Sequence, residues 1–181
     1  MKKVFIDCGG YDGCSVRKFR KEFDSEKKYH IISFEANKKY NDFYSDFVHH
    51  DFYNKAVWIY DGFINFFLDQ KKGYGSSVIK EKKTGKLDKD NPDRVECIRL
   101  SSFIDKISND YDEIILKLDI EGAEYAVLKD MLETGSINNI SKLMIEWHYN
   151  KINLSENDHL ALLGKLEDSG IPVEEWDAIG Y

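Results

Sequence analysis

Asp7 is followed by Gly9, Gly10 and Gly13, and a second acid, Glu35, stands 22 residues beyond the last of these glycines. The run VFIDCGGYDGCS reads as a hydrophobic strand entering a glycine turn and then a helix. Glycines let a backbone turn sharply and approach a ligand closely, and a helix start presents unsatisfied N–H groups. An acid closing the next strand, Glu35 with Ala36 beside it, is placed to accept hydrogen bonds from the two hydroxyls of a ribose. Together these features predict a nucleoside cofactor held by the first 35 residues.

Charge narrows the choice of cofactor. The dinucleotide fingerprint wants glycine at positions 8, 10 and 13, and position 8 is Cys. Asp7 and Asp12 flank the turn, while Asp119, Glu121 and Glu124 close another predicted strand. A pyrophosphate beside those carboxylates is repelled by roughly 4 kcal/mol per close pair at an effective dielectric near 20. S-Adenosylmethionine has no phosphate and carries an ammonium and a sulfonium, so the same acids attract it. Glu35 does not discriminate, because both cofactors contain a ribose, and an NAD-dependent oxidoreductase stays a residual option.

Two further segments carry chemistry. In ILKLDIEGAEYAVL, strand alternation puts Ile115, Lys117 and Asp119 on one face. Lys117 is expected to pair with Asp119 or Glu146, since a buried ammonium needs a counter-charge. Asp119 and Glu121 stand at the carboxyl end of the strand, where open α/β sheets bind ligands. In MIEWH, alternation groups Met144, Glu146 and His148, with His148 at the strand end. His148 is the expected general base, oriented by a nearby acid, with Glu121 the main alternative and Asp119 the third catalytic candidate. Asp119, Glu121, Glu146 and His148 could also converge on a divalent metal, a secondary option that is not favoured. His49 and His50 read as surface or helix-end residues.

The elements that must position these groups alternate between short apolar runs and helix-period segments, which predicts an α/β domain with a mainly parallel sheet. Val16, Phe19 and Phe23 mark the first helix, and HIISFE the second strand. Asn37 caps a helix whose Tyr40, Phe43, Tyr44 and Phe47 form an apolar stripe, read as core packing. KAVWIYDGFINFFLD predicts two strands joined by a tight Asp61-Gly62 hairpin turn. Residues 71–94 follow, with eight Lys/Arg against four Asp/Glu. This segment reads as a solvated surface loop or, alternatively, as a mobile substrate lid. VECIRL is then a strand, SSFIDKIS a short helix, EIILKLD a buried strand, and AEYAVLKDMLETG a helix stopped by Gly135. KLMIEWH is a strand running to His148. Ser155 and Asp158 cap a last helix that closes at Gly170, and VEEWDAIGY supplies one or two edge strands.

The chain has 181 residues, 42% of them hydrophobic and 33% charged, enough for one compact domain spanning 1–181. No apolar run approaches the roughly 18 residues of a membrane helix. The start, MKKVFID, is too short for a signal-peptide core, which predicts a cytoplasmic protein. Cys8, Cys14 and Cys97 have no zinc-like spacing and fit free thiols. A net charge of -7 argues against nucleic acid as a partner. No feature of the sequence sets the oligomeric state.

The segments IDCGGYDG, SFEAN, NKAVWIYDG, LKLDIEGAEYAVL and LMIEWH resemble those of the FkbM family of S-adenosylmethionine-dependent methyltransferases, and together span residues 4–148. The resemblance implies a Rossmann-like class I methyltransferase fold, a twisted, mainly parallel sheet with helices on both faces. It also implies methyl transfer, usually to an oxygen of a sugar or other small molecule. NKAVWIYDG corresponds to the adenine-side hairpin. Ser101 stands where an acid usually follows the leucine, which would alter substrate contacts, and the carboxyl terminus is short for the usual final antiparallel strands. Tyr74, Trp147 and Tyr149 could stack on a sugar acceptor. Two other classes stay open: a methyltransferase for RNA or protein, supported only by the basic 71–94 segment, and a cofactor-binding module without catalysis.

Overall fold

A computed structural model describes residues 1–71 and 73–177 as a single α/β domain. The first apolar run forms β1 (Lys3–Cys8), and the glycine turn leads into α1 (Cys14–Glu22). Two strands then step outward, β2 (Tyr29–Phe34) and β3 (His50–Tyr53). The chain next builds a separate small sheet from β4 (Ala56–Trp58), β5 (Gly62–Phe66) and β6 (Asp93–Arg99), and continues into α2 (Leu100–Ile107). It returns to the far side of β1 with β7 (Glu113–Leu118) and α3 (Glu124–Thr134). Beyond them lie β8 (Lys142–Ile145), α4 (Glu156–Asp168) and β9 (Val173–Glu175).

The main sheet has the order β3-β2-β1-β7-β8-β9, and every neighbouring pair is parallel. Successive units step one way from β1 and the other way from β7, so the loops leaving these two strands diverge. A crevice opens between them at the carboxyl ends, as expected at such a switch point. The register sets Asp7 opposite Lys117 and Cys8 opposite Leu118, which brings both exits to one level.

Parallel strands are buried on both faces and read as continuous apolar runs. Val4, Ile6, Leu116 and Leu118 pack with Leu100, Leu128 and Leu166 from α2, α3 and α4. Phe5, Ile31, Ile115 and Met144 pack on the opposite face with Val16 and Phe19 of α1. Phe5 and Phe19 stack with centroids 3.9 Å apart. Trp176, just after β9, closes this second core and donates its indole N–H to Ser15 Oγ at 3.3 Å. Helices therefore flank the sheet on both faces, one against three.

The structure corrects several expectations. The chain bends over residues 59–61 with Gly62 already in β5, so the Asp61-Gly62 hairpin turn does not form, and β4 and β5 do not pair with each other. β6 lies between them, with Cys97 in register with Ala56 on one side and Gly62 on the other. Asp61 accepts the backbone N–H of Arg99, which fixes the bend to β6 rather than to a hairpin partner. The segment after Asn37 is a 3-10 turn over Lys38–Tyr44 rather than an α-helix. Ser45 competes there for a backbone group by donating to the Asp42 carbonyl. His50 is neither a surface nor a helix-end residue but opens β3, partly buried and stacked on Tyr44 at 5.4 Å, while His49 is exposed as expected. β8 ends at Ile145, so His148 lies beyond the strand. The final segment yields one parallel strand, β9, and its residues 178–181 lie outside those described. Cys8, Cys14 and Cys97 are free thiols, and no described helix is long and apolar enough to cross a membrane.

The Phe5–Phe19 contact is the centre of the smaller core, so Phe19→Ala is expected to cost about 3–5 kcal/mol. Equilibrium unfolding in urea measures it, and a loss below about 1 kcal/mol would show that the α1 face is not cooperatively packed.

Candidate functional site

The crevice at the switch point is a cavity of about 490 Å³, within the ordinary range for a small-molecule site. Gly9, Tyr11, Asp12 and Cys14 come from the turn after β1, and Phe34, Glu35 and Ala36 from the end of β2. Ala56 and Val57 of β4 and Tyr40 complete an apolar wall. Asp119, Ile120, Glu121 and Glu146 line the other end.

Gly9 has to be glycine. Its φ is +79°, and a Cβ there would stand 1.8 Å from the Asp119 carbonyl oxygen, so the two exit loops touch backbone to backbone. Gly13 (φ +82°) caps α1, and a Cβ would meet the Phe47 ring at 2.6 Å. Gly10 lies against the Tyr44 hydroxyl. Gly10 and Gly13 shape the turn from behind and do not line the cavity, unlike Gly9.

The turn does not offer the free N–H groups expected of it. The amides of Gly9 and Gly10 both donate to the Phe34 carbonyl, at 2.9 and 3.2 Å. The Gly13 amide donates to Gly10, and that of Cys14 to the Asp12 carboxylate at 2.9 Å. The Tyr11 amide donates to Glu35 Oε2 at 2.8 Å. With these donors spent inside the protein, the loop is a poor phosphate cradle.

Glu35 is 8% exposed and accepts a second N–H, from Asn37, on Oε1 at 2.6 Å. Burial pushes its carboxyl up to about 7, against the two backbone donors that favour the ionised form. Asp7 sits differently from expectation. It is completely buried, does not line the cavity, and pairs with Lys117 at 3.0 Å. The Lys117 ammonium also donates to the carbonyls of Gly9 (2.8 Å) and Cys8 (3.3 Å) and lies 3.5 Å from Asp119 Oδ2. Lys117 was expected to pair with Asp119 or Glu146. Its first partner is Asp7, because the parallel register places the two side by side. Burial opposes the Lys117 charge, but Asp7 and Asp119 overcome it and raise its pKa.

At the far end, Glu121 and His148 are brought together with Asp119 and Glu146. Glu121 has φ +57°, a left-handed conformation that a non-glycine residue adopts at a cost, and Tyr11 shares it at φ +50°. Ser77 donates to the Glu121 carbonyl at 2.8 Å, and the buried Lys82 meets its carboxylate at 2.6 Å. His148 is completely buried. Its Nδ1 lies 2.9 Å from Glu124 Oε1, and Glu124 is itself fixed by the amides of Ile120 and Gly122. Nε2 faces Glu146 Oε1 at 3.2 Å, Glu121 Oε2 at 3.8 Å and Asp119 Oδ1 at 3.9 Å. Burial alone would lower the His148 pKa, but Glu124 and Glu146 raise it to about 10. An imidazole that keeps its proton at neutral pH has no lone pair with which to take another, and His148 does not line the cavity. Its environment does not suit a general base.

Residues 71–94 contribute Gly73, Tyr74, Ser76 and Val78 to the cavity wall. Backbone bridges Phe67–Ser77 and Asp69–Leu87 and the Lys82–Glu121 pair fold the segment into a strap, rather than a solvated loop. Lys82 gave no signal in the sequence, being one lysine among eight basic residues of the segment. Tyr11, Tyr40 and Tyr74 meet edge-on at the cavity, with centroids 4.5 and 5.9 Å apart. Tyr40 is thus both core and cavity wall. Trp147 and Tyr149 instead pack on His159, at 4.9 and 4.4 Å, away from the cavity. Ser101 donates to Asp130, which also pairs with Arg99, so its departure from an acid leaves the cavity untouched.

A family model described as the methyltransferase FkbM domain matches residues 7–171 of this chain. No curated protein and no solved structure matches it.

Removing one partner of the buried pair strands the other. Lys117→Met is expected to cost about 3–5 kcal/mol in urea unfolding, and Asp7→Leu combined with Lys117→Met to recover most of it. A double variant no more stable than Lys117→Met would show that the lysine acts through the Cys8 and Gly9 carbonyls alone.

Proposed function

The chain belongs to the FkbM methyltransferase family, and from that membership we propose that it moves the methyl group of S-adenosylmethionine onto a hydroxyl of a sugar or other small molecule. The observation that carries this reading is the charge of the cavity. Asp12, Glu35, Asp119, Glu121, Glu146 and Asp177 line it, against Lys55 and Lys151. Lys55 already faces Glu96, which does not line the cavity, and Lys151 offsets one of the six acids, Glu146. Such a site disfavours phosphate and favours a cationic ligand. The residues present fit this cofactor: Glu35 keeps acceptor capacity for the two ribose hydroxyls, and the walls of Phe34, Ala36, Val57 and Tyr40 suit a flat base.

When bound, S-adenosylmethionine supplies an activated methyl whose C–S bond breaks toward sulfur as the new O–C bond forms. The protein's task is then alignment and exclusion of water. The turn after β1 and Glu35 hold one end of the cavity, and the strap residues Gly73, Tyr74, Ser76 and Val78 wall it. A half-open cavity of about 490 Å³ with the strap along its wall favours a small acceptor over RNA or protein. The acceptor hydroxyl must lose a proton, and Glu121 is the carboxylate proposed to take it. It lines the cavity, Ser77 holds its backbone carbonyl, and Lys82 fixes its carboxylate. His148 then acts as the buried cation around which the acids are arranged, and Asp119 as a cofactor-side and positioning acid.

Incubation with S-adenosylmethionine and a panel of sugars and hydroxylated small molecules tests the reading by release of S-adenosylhomocysteine and by product mass. With an acceptor in hand, Glu121→Gln is expected to lower kcat by about 10²–10⁴-fold while leaving S-adenosylhomocysteine affinity unchanged. Unaltered turnover would remove Glu121 from the proton transfer, and failure to bind either cofactor form would remove the whole reading.

Glu35 makes cofactor binding depend on pH. Below about pH 7 the free pocket holds a neutral carboxylic acid, and that proton must leave before both oxygens accept ribose hydroxyls. The dissociation constant of S-adenosylhomocysteine is therefore expected to rise about tenfold from about pH 8 to about pH 6. Calorimetric titration of Glu35→Gln should show weaker binding with most of that pH dependence gone. A flat profile in the unaltered protein contradicts the assignment.

A further inference from the structure

We propose that Asp119, Glu146 and His148 form a binding site for one hard divalent cation, Mn²⁺ or Mg²⁺, at the acceptor end of the cavity. One oxygen of each carboxylate and a ring nitrogen of His148 all lie within 4.8 Å of one another. Small rotations close that spacing to bonds of ~2.0–2.3 Å.

An acidic cluster alone would carry nothing, and a second observation singles this one out. His148 is fully buried, and its Nε2 makes no hydrogen bond although it points into the cluster. Its other nitrogen is held by Glu124 at 2.9 Å, and Glu124 is locked by two backbone amides. A carboxylate that fixes one imidazole nitrogen and so aims the other is the usual support behind a metal-ligating histidine. The protein thus builds an oriented ligand and leaves its donor atom without a hydrogen bond.

The local charge points the same way. Around this end, the carboxylates of Asp7, Asp119, Glu121, Glu124 and Glu146 meet the ammoniums of Lys82, Lys117 and Lys151. These five carboxylates outnumber the three ammoniums, and a divalent cation that displaces the His148 proton gains the Nε2 lone pair and offsets the excess. Lys117 approaches Asp119 through Oδ2, whereas Oδ1 is the oxygen turned to His148. Lys151 pairs at 3.6 Å with Glu146 Oε1, the oxygen that also faces His148, so a bound cation would take the place of this exposed lysine's contact. A donor set of two carboxylates and one imidazole, with no thiolate, suits Mn²⁺ or Mg²⁺ better than a structural zinc.

Three protein ligands leave coordination positions open to the cavity that Asp119 and Glu146 line. Resting on the methyltransferase reading above, the cation would select an acceptor with two adjacent oxygens, such as a vicinal diol, and hold both toward the methyl donor.

The test titrates the full chain, stripped with a chelator, with Mn²⁺ and follows the free-ion EPR signal. One Mn²⁺ per chain is expected, displaced by excess Mg²⁺. Glu146→Gln, at a half-exposed position that leaves the core intact, should weaken binding by at least about tenfold. Glu133→Gln, on the outer face of α3, should not change it. His148→Ala serves as a second variant only where its circular dichroism matches the parent protein. No Mn²⁺ bound at millimolar concentration, or equal binding by Glu146→Gln, overturns the site. Calorimetry with S-adenosylhomocysteine in chelator separates the two proposals. Cofactor binding without any Mn²⁺ binding sinks the cation alone, and Mn²⁺ binding without cofactor binding sinks the methyl-transfer reading and keeps the site.

Discussion

Everything at the glycine-turn end of the cavity is arranged around one buried contact, the ammonium of Lys117 between Asp7 and the carbonyls of Cys8 and Gly9. β1 and β7 are neighbours only because the sheet switches direction there, and no covalent feature holds their exit loops together. A lysine buried at full depth requires a counter-charge, and an aspartate buried beside it requires a cation. Neither residue can be satisfied unless the two strands are in register. The Gly9 turn, whose missing Cβ admits the Asp119 carbonyl, then follows from the same alignment. The pair is better understood as specifying register than as adding stability, since two buried charges seldom repay their desolvation.

That contact also explains how an acidic cavity is tolerated. The turn spends its amides on Phe34 and Glu35, so little positive backbone potential is left to draw a phosphate. Lys117 compensates Asp7 from below, Lys82 compensates Glu121 from the strap, and the carboxylates that remain define the ligand by repulsion as much as by attraction. Each acid has a place set by a neighbour on a different element. The selectivity of the site is therefore a property of the assembled fold rather than of any one motif.

The sequence revealed the parts of this arrangement that depend on local pattern. Apolar runs located β1, β2, β7 and β8 of the main sheet but not the short edge strand β3, and Gly135 and Ser155 marked helix ends as their backbone chemistry requires. The glycine turn and Glu35 are legible because a single loop and the next strand make them. What stayed hidden depends on distant pairing. The placement of β6 between β4 and β5 is decided by Cys97 meeting both neighbours, which no local turn signal contains. Asp7 was read as facing the cofactor because alternation along β1 says nothing about which residue of β7 lies opposite. Lys82 was illegible for a similar reason: a basic loop reads as solvated until an acid 39 residues away is known to sit beneath it. Tyr40 was assigned to the core when it serves both core and cavity, since an apolar stripe cannot say where its edge ends.

His148 shows why placement near a strand end is too weak a criterion for a base. A histidine becomes a proton acceptor when its environment leaves it neutral near the working pH and exposes a nitrogen to substrate. Here Glu124 holds one nitrogen, the acids of both strand exits crowd the other, and the ring is sealed from the cavity. Those acids cannot approach one another without a positive charge among them. An imidazolium supplies one charge at that point, and a bound cation supplies two. The same geometry accommodates either charge, and Glu124 is what keeps the imidazole aimed at the cluster.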